Sequence, residues 1–429
     1  MIKRNNKKGF TIVELVIVIA VIAILAGVLI PTFAGIIKKA NLSADQQAVR
    51  QMNTALAVDG AVAPTDIFKL HEVLSEMGLT SEDYKPLTKG TFFFWDADLN
   101  RVLHVDENMT VITPAEYAGQ TYVAGTSNWY SLTLEIEEEK VDGVADGGAV
   151  TITSGAQMQY VLNKLNEGSV KDIDITLNGT IDMMGAVFNL PKFDDNARYN
   201  ITISNGTIKN ATSVDYAQSA TKTTDGHNGV YYSALIPSVG ANNSVTISNI
   251  VIENMSVKNT DTSGVALLIG AVAGANAEAT IENVTIKNSS VIGHRNTGAL
   301  VGLVGSSGKL NLRGNITLNN VDVQTVGGSS AMLVGLKTEG AAGGQIDATG
   351  ATITLDKDCS FGIYECAQNK GGELGLKDGV INSTALKNGV SSPYARSYVE
   401  NALVMLSQNL PKAKTSASDF FNATINGWN

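Results

Sequence analysis

Near the start of the chain the apolar positions are continuous rather than periodic. Residues 15–37 carry no charge and are rich in Ile, Val, Leu and Ala. At about 1.5 Å per residue, a helix of that length crosses a bilayer core of roughly 30 Å. Beyond Ile37 the pattern becomes amphipathic, with Leu42, Ala48, Val49, Met52, Ala55 and Leu56 recurring at a period of roughly 3.6. Together the two patterns predict one helix over residues 10–57, about 70 Å long. Pro31 lies inside it and predicts a kink or a locally melted turn, which Gly27 and Gly35 would help to open.

Residues 64–115 read as a small α/β unit. A helix over 67–77 offers Phe68, Leu70, Val73, Leu74 and Met77 to a core. Pro64, Thr65 and Asp66 are its start signals and Gly78 its stop. Residues 90–96 and 100–106 predict two strands joined by a tight polar turn. In the second strand Leu103 and Val105 form the better core face, which sends His104 to solvent or the core's edge. Residues 129–136 alternate as a strand, 135–140 form a solvated charge run, and 141–148 suit a linker. A short helix follows at 156–166, with Met158, Val161, Leu162 and Leu165 on one face and Ser154 as its cap. It suits the open end of a repeat stack.

From about residue 172 to 385 the chain repeats. Ile247, Ile250, Ile252 and Val257 recur 34 residues later as Ile281, Val284, Ile286 and Val291. A third copy carries Ile316, Leu318, Val321 and Val323, and looser copies lie at 173–181 and 201–210. Each copy holds short strands with apolar residues at every second position, broken by Asn or Gly. That pattern predicts a parallel β-helix over residues 151–392, with Asn at the corners stacking in ladders and Gly-Ala-Leu-Val-Gly segments on a tightly closed face. A β-sandwich or propeller is the alternative. The tail, 393–429, shows a helical pattern at 395–406 and the pair Phe420 and Phe421 near Trp428. It reads as a C-terminal cap, or as a docking surface for another subunit. The fold class is thus α+β: a long N-terminal helix (10–60), a small α/β region with linker (61–150), then the solenoid.

The formal net charge of −10 argues against a nucleic-acid binder. Low charge content (17%) with 42 Gly fits an extracellular, repetitive β protein. Two Cys and four His leave little for a structural metal site, and no cofactor is expected. Enzymes built on a β-helix need grouped acids or bases on one strand face. Asp172, Asp174, Asp194, Asp195, Asp322 and Arg313 occupy no common repeat position, so no catalytic residue is assigned. The Asn-Xaa-Ser/Thr sequons, Asn178, Asn200, Asn210, Asn254 and Asn283 among them, read as compositional. Cys359 and Cys366 could form a disulfide outside the cytoplasm, or stay free. In a straight strand their Cα atoms would stand about 23 Å apart against the roughly 5.5 Å required, so the bond demands a turn near Gly362.

Lys3, Arg4, Lys7 and Lys8 precede the apolar run, which predicts a cytoplasmic amino terminus and a single membrane pass. Glu14 at the edge of that run is costly in a plain anchor unless it has a partner. A secretory signal peptide fits poorly, because its cleavage site would follow the apolar run. The stretch Lys8-Gly9-Phe10-Thr11-Ile12-Val13-Glu14-Leu15 resembles the processing site of type IV prepilins and type II secretion pseudopilins. The resemblance covers residues 1 to about 60. It implies a leader of residues 1–9, cleavage after Gly9 by a prepilin peptidase/methyltransferase, and methylation of the new amine on Phe10. It makes Glu14 and Pro31 the assembly residues, with Glu14 pairing a neighbouring subunit's terminal amine. The partners implied are other pilin or pseudopilin subunits and the membrane, with a surface glycan or protein ligand for the repeats. The expected function is a non-catalytic, structural and minor subunit of a type IV filament, displaying a β-solenoid for adhesion at the cell surface. The alternatives are a pseudopilin of a type II-like secretion system, or a membrane-anchored β-helix protein that binds or degrades polysaccharide. Replacing Gly9 by a bulky residue should block cleavage, leaving a product heavier by residues 1–9 in mass spectrometry. An unchanged mature mass would rule out this cut site.

Overall fold

The structure, a computed structural model, describes residues 12–58, 63–64, 66–123, 126–188, 198–213, 232–325, 330–338, 341–356, 358–363, 373–377, 380–383, 404–406 and 424–426. The chain forms a long apolar helix followed by a large β-rich region, and it divides into two compact units. The first takes Met1–Ala63, Val73–Phe94 and Asn100–Tyr122, and the second Pro64–Glu72, Trp95–Leu99 and Val123–Asn429.

Helix α1 (Ile12–Leu56) runs through Pro31 without interruption, so the expected melted turn is not formed in this chain. Proline removes the hydrogen bond of its own nitrogen and crowds the carbonyl four residues earlier, yet the helical turns continue on both sides. The amphipathic second half of α1 buries Asp45, Val49, Met52, Ala55 and Leu56. Helix α2 (Ile67–Glu76) starts at Asp66, whose carboxylate accepts from the backbone N–H of Lys69 at 2.9 Å. Gly78 ends the turn with φ +80, and Leu79 N–H returns to the Leu74 carbonyl at 3.1 Å.

In the first unit, strand β1 begins at Thr91 (Thr91–Asp96), β2 is Arg101–Asp106, and β3 is Val111–Thr113, antiparallel to β2. Three polar side chains of α1 hold this unit together. Asn53 accepts from Val102 N–H at 2.7 Å and donates to Val102 carbonyl at 2.9 Å. Asp45 accepts from the N–H groups of Leu87 (2.7 Å) and Thr88 (2.9 Å), and Asn41 donates to the Leu87 carbonyl at 3.1 Å.

His104 departs from the sequence expectation. It is fully buried, as are Val102, Leu103 and Val105. Both faces of β2 are covered, so alternation does not separate an outer face from an inner one. Thr91 Oγ1 donates to the Thr88 carbonyl at 2.7 Å and lies 2.7 Å from His104 Nε2, so Nε2 carries the proton and donates. Nδ1 has no hydrogen-bond partner, Phe93 packs edge-on against the ring at 5.3 Å, and Asp45 Oδ2 is 3.9 Å from Nε2. Burial lowers the His104 pKa below its ordinary value of 6.5, outweighing the attraction of Asp45.

The second unit opens with the Trp95 and Asp96 end of β1 and with β4 (Trp129–Ser131). Trp129 Nε1 donates to Asp96 Oδ2 at 2.8 Å, and the Trp95 and Tyr130 rings lie 5.4 Å apart. The strand expected to reach residue 136 stops at Ser131, because Leu134 takes φ +57 and leaves the extended region.

The rest of this unit is dominated by parallel pairing. Its elements are β5 (Gly148–Ile152), α3 (Gly155–Asn166), β6 (Asp172–Leu177), β7 (Thr180–Asp182), β8 (Asn200–Lys209), β9 (Thr212–Ser213), β10 (Ile236–Val239), β11 (Ser244–Glu253), β12 (Ser256–Ala266), β13 (Ile269–Val272), β14 (Glu278–Gly298), β15 (Val301–Val304), β16 (Lys309–Thr325), β17 (Ser330–Ala331) and β18 (Val334–Lys337). One sheet carries β5, β6, β8, β11, β14 and β16 as successive parallel neighbours, and a second carries β10, β13, β15 and β18 in the same way. Register keeps like beside like: Ile203, Ile247, Ile281 and Leu312 are consecutive partners, as are Ile208, Ile252, Ile286 and Leu318. All eight are fully buried in one hydrophobic cluster that runs from Val150 to Cys359. At the β5 end, α3 packs Met158, Val161, Leu162 and Leu165 into that cluster, and Ser154 Oγ accepts from Gln157 N–H at 3.2 Å.

Positions of left-handed backbone, within the strands or just past their ends, account for much of the Asn content. Asn205, Asn249 and Asn283 have φ between 50 and 59, as do Asn210, Asn254, Asn288 and Asn320. Asn tolerates this left-handed region better than other non-glycine residues. The side chains stack: Asn283 donates to Asn249 at 3.1 Å, Asn276 to Asn242 at 3.1 Å, Asn254 to Asn210 at 3.2 Å and Asn320 to Asn288 at 3.0 Å. On the second sheet the small residues serve close approach. A Cβ added at Gly302 would meet the Gly264 carbonyl carbon at 2.5 Å and the Gly270 oxygen at 2.6 Å.

After β18 come β19 (Gln345–Asp347), β20 (Thr352–Leu355), β21 (Ser360–Ile363), β22 (Glu373–Lys377), β23 (Val380–Ser383), β24 (Val404–Leu406) and β25 (Thr424–Asn426). The helix expected at 395–406 is corrected at its described end: β24 pairs in parallel with β18. A free strand edge offers backbone partners that outweigh helical propensity over so few residues. Gly362 lies within β21, which pairs antiparallel with β22, so no turn forms there. Cys359 is buried and donates to the Leu318 carbonyl at 3.3 Å, and burial raises its thiol to about 12. Cys366 lies outside the described residues.

Two outcomes follow. Gly302→Ala should lower the stability of the second unit by about 1–3 kcal/mol, since the clashing atoms are backbone and cannot swing aside; a thermal-unfolding shift measures it. For His104, the folded state resists a proton that the unfolded chain accepts near pH 6.5, so stability falls as pH drops below that value. Between about pH 7 and pH 5 the first unit should therefore weaken, and His104→Gln should flatten that dependence. Equal slopes for both proteins would remove His104 as the cause.

Candidate functional site

Two surfaces carry chemistry that the folded cores do not absorb. The first is the leading half of α1. Ile12 is 81% exposed, Ile30 67% and Phe33 57%, and Leu15, Ile17, Ile19, Ile22, Ile24 and Leu25 between them are exposed as well. Among the described residues this is the one helix long and apolar enough to cross a membrane. Glu14 lies in its first turn and Pro31 in its interior. A Cβ added at Gly27 or Gly35 would meet nothing within 4 Å, so neither glycine is required by packing within the chain. Gly9 and Phe10 lie outside the described residues.

The second surface is a groove in the β-rich unit with a volume of about 680 Å³. Asn254, Asn288 and Asn320, all with left-handed backbone, and the strand residues Ser256, Ser290 and Asp322 line one side. Asp66, Lys69 and Tyr130 line the other. Register sets the first side: Ser256 pairs with Ser290, and Ser290 with Asp322, so equivalent positions recur at each strand step of about 4.8 Å. Tyr130 is buried, and its hydroxyl donates to Asn210 Oδ1 at 3.1 Å; the Asn210 amide in turn donates to Asp182 at 3.1 Å. Burial pushes the Tyr130 hydroxyl well above the usual phenol range, so it remains a donor.

The residues weighed for catalysis are dispersed. Asp172 accepts from the Asn200 amide at 3.0 Å. Arg313 pairs with Asp347 at 2.7 Å, and hydrogen bonds from Thr349, then Arg313, hold the Asp347 carboxyl down to about 2. Asp322 lies in the groove, and Asp194 and Asp195 lie outside the described residues. Among the described residues no group of three or more His, Cys, Asp or Glu could hold a metal ion. Sequence reasoning missed the groove, because Asp66, Lys69 and Tyr130 are remote from the repeats in the chain. The signal available was the recurrence of Asn-Xaa-Ser at Asn254 and Asn288.

Comparison with known proteins bears on α1. Residues 4–30 match the prokaryotic N-terminal methylation motif. Over 37 residues the chain is 64% identical to the type IV wide pilus major component PilA4 of Thermus thermophilus. That match takes 9% of this chain and spans only 28% of the relative's length. No solved structure matches the chain. The N-terminal segment is therefore type IV pilin-like.

Proposed function

We propose that this protein is a non-catalytic structural subunit of a type IV filament, a minor one, whose β-rich region is a parallel β-helix displayed at the cell surface for adhesion. The observation that carries the reading is the methylation motif at 4–30 heading a helix whose apolar side chains are exposed along its first half. Such a surface requires lipid before assembly and neighbouring helices after it. A prepilin peptidase cuts after Gly9 and methylates Phe10, and other pilin subunits cover α1 in the filament. The β-helix reading is supported by successive in-register parallel pairing in two sheets and by the stacked Asn turns. The minor role is supported by bulk: the large β-rich unit is awkward to repeat at every position of a shaft.

Glu14 is the residue that converts an anchor into an assembly element. In a filament core it and the terminal ammonium of Phe10 are both removed from water, and each is costly unless it meets the other. Removing one partner from such a pair costs about 3–5 kcal/mol. Glu14→Ala should still insert and still be cut after Gly9. Its content in sheared filaments, relative to membrane content, should fall more than about tenfold. Normal incorporation would defeat this reading and favour a plain membrane anchor.

A further inference from the structure

We propose that the groove beside the Asn254–Asn288–Asn320 row binds a neutral, extended hexose chain laid across the strands, one sugar per strand step. The inference rests on the reading that the β-rich unit is displayed outside the cell, and it supplies that unit's ligand class.

The argument starts from the unused capacity of the Asn row. A carboxamide offers two N–H donors and two acceptor lone pairs. The Asn320 amide donates to Asn288 Oδ1 at 3.0 Å. Among the described residues no further bond is made by the side-chain N–H groups of Asn288 or received by the side-chain carbonyl of Asn320. Both residues are exposed. Planar groups that both donate and accept suit sugar hydroxyls, which do the same. Ser256 and Ser290 repeat a hydroxyl one register row away, with their oxygens 3.5 Å apart. Ile292, half-buried, supplies apolar contact of the kind that sugar C–H faces require. The strand step of about 4.8 Å matches the advance of one hexose along an extended chain. A groove of about 680 Å³ falls within the usual range for small-ligand sites and holds a short oligomer.

The same observations disfavour other ligands. A peptide added as a strand needs an open backbone edge, whereas β14 is paired in parallel on both sides. A polyanion needs clustered Arg or Lys, whereas the lining carries Lys69 beside Asp66 and Asp322.

The test is calorimetric titration of the full chain in detergent with neutral gluco-, manno- and N-acetylgluco-oligosaccharides, and with oligogalacturonate as the acidic comparison. Affinity for at least one neutral series should rise from monosaccharide to trisaccharide and then level off. Ser290→Trp, which fills the groove, should weaken it at least about tenfold. Asn288→Gly, which keeps the left-handed turn and removes the amide, should do the same with thermal unfolding close to wild type. If Ser290→Trp fails to fold, Asn288→Gly alone decides. The proposal is overturned if no neutral series binds tighter than about 1 mM, if both variants bind like wild type, or if oligogalacturonate binds more tightly. Neither substitution touches α1, so filament incorporation of these variants should stay normal. A failure of glycan binding and a failure of the filament reading are therefore separate results.

Discussion

Backbone hydrogen bonds between parallel neighbours constrain the β-rich unit more than any side chain does. Apart from Asn249, every residue of a central strand such as β11 is in register with the strands on both sides, so side chains at equivalent positions must lie one above another. Only sequences that repeat their polarity can then fold. Inward positions become columns of Ile, Val and Leu, and a polar residue in one would leave a buried group unpaired. Charged positions form a column as well, buried at Asp182 and Lys209. Asp182, Lys209, Glu253 and Lys287 are consecutive register partners of alternating sign, and Lys287 meets Glu253 at 3.0 Å. Such a column rewards the native register and penalises a slip. The cost of the arrangement is open edges. At one end α3 lays its apolar face into the core cluster, and at the other β24 and β25 extend the pairing.

The columns were readable from the sequence because their period is local and repeated. Ile247 and Ile281 announce one another by spacing, and the Asn turns follow from φ > 0 at the corners. His104 was not readable. Alternation placed it opposite Leu103 and Val105, yet that face is covered by α1 residues supplied from half the chain's first unit away. The clamp of Asn53 on Val102 has the same character: a polar residue on an amphipathic helix looks solvated until its partner is known. The tail failed for a related reason. Residues 395–406 have a helical pattern, but at 404–406 an available strand edge decides the conformation. The groove is half readable: the Asn and Ser columns were in the repeats, whereas Asp66, Lys69 and Tyr130 carry no mark of it.

The first half of α1 and the β-rich unit solve opposite versions of one problem. In α1 the backbone satisfies itself, so the helix can enter lipid, and the apolar side chains of its first half lack cover. A surface of this kind is complete only in a membrane or against other helices. Glu14 is the one acidic residue of the segment 12–37. Under the filament reading proposed above, its pairing with a neighbouring subunit's terminal amine would add depth and register to a helix whose composition specifies burial alone.

In the β-rich unit the side chains are covered and the ligand-binding potential arises from the turns. A corner that needs φ > 0 selects Asn or Gly, and where Asn is used the fold delivers an amide at every step without any demand from function. Stacking consumes part of that amide's hydrogen-bonding capacity and leaves the rest at the surface. The row therefore presents donors and acceptors at the strand spacing, on a backbone held by pairing on both sides. Rigid, evenly spaced polar groups lose little entropy when a repetitive ligand aligns with them. The periodicity that allows the unit to fold is thus also the property that favours a polymer over a single small molecule.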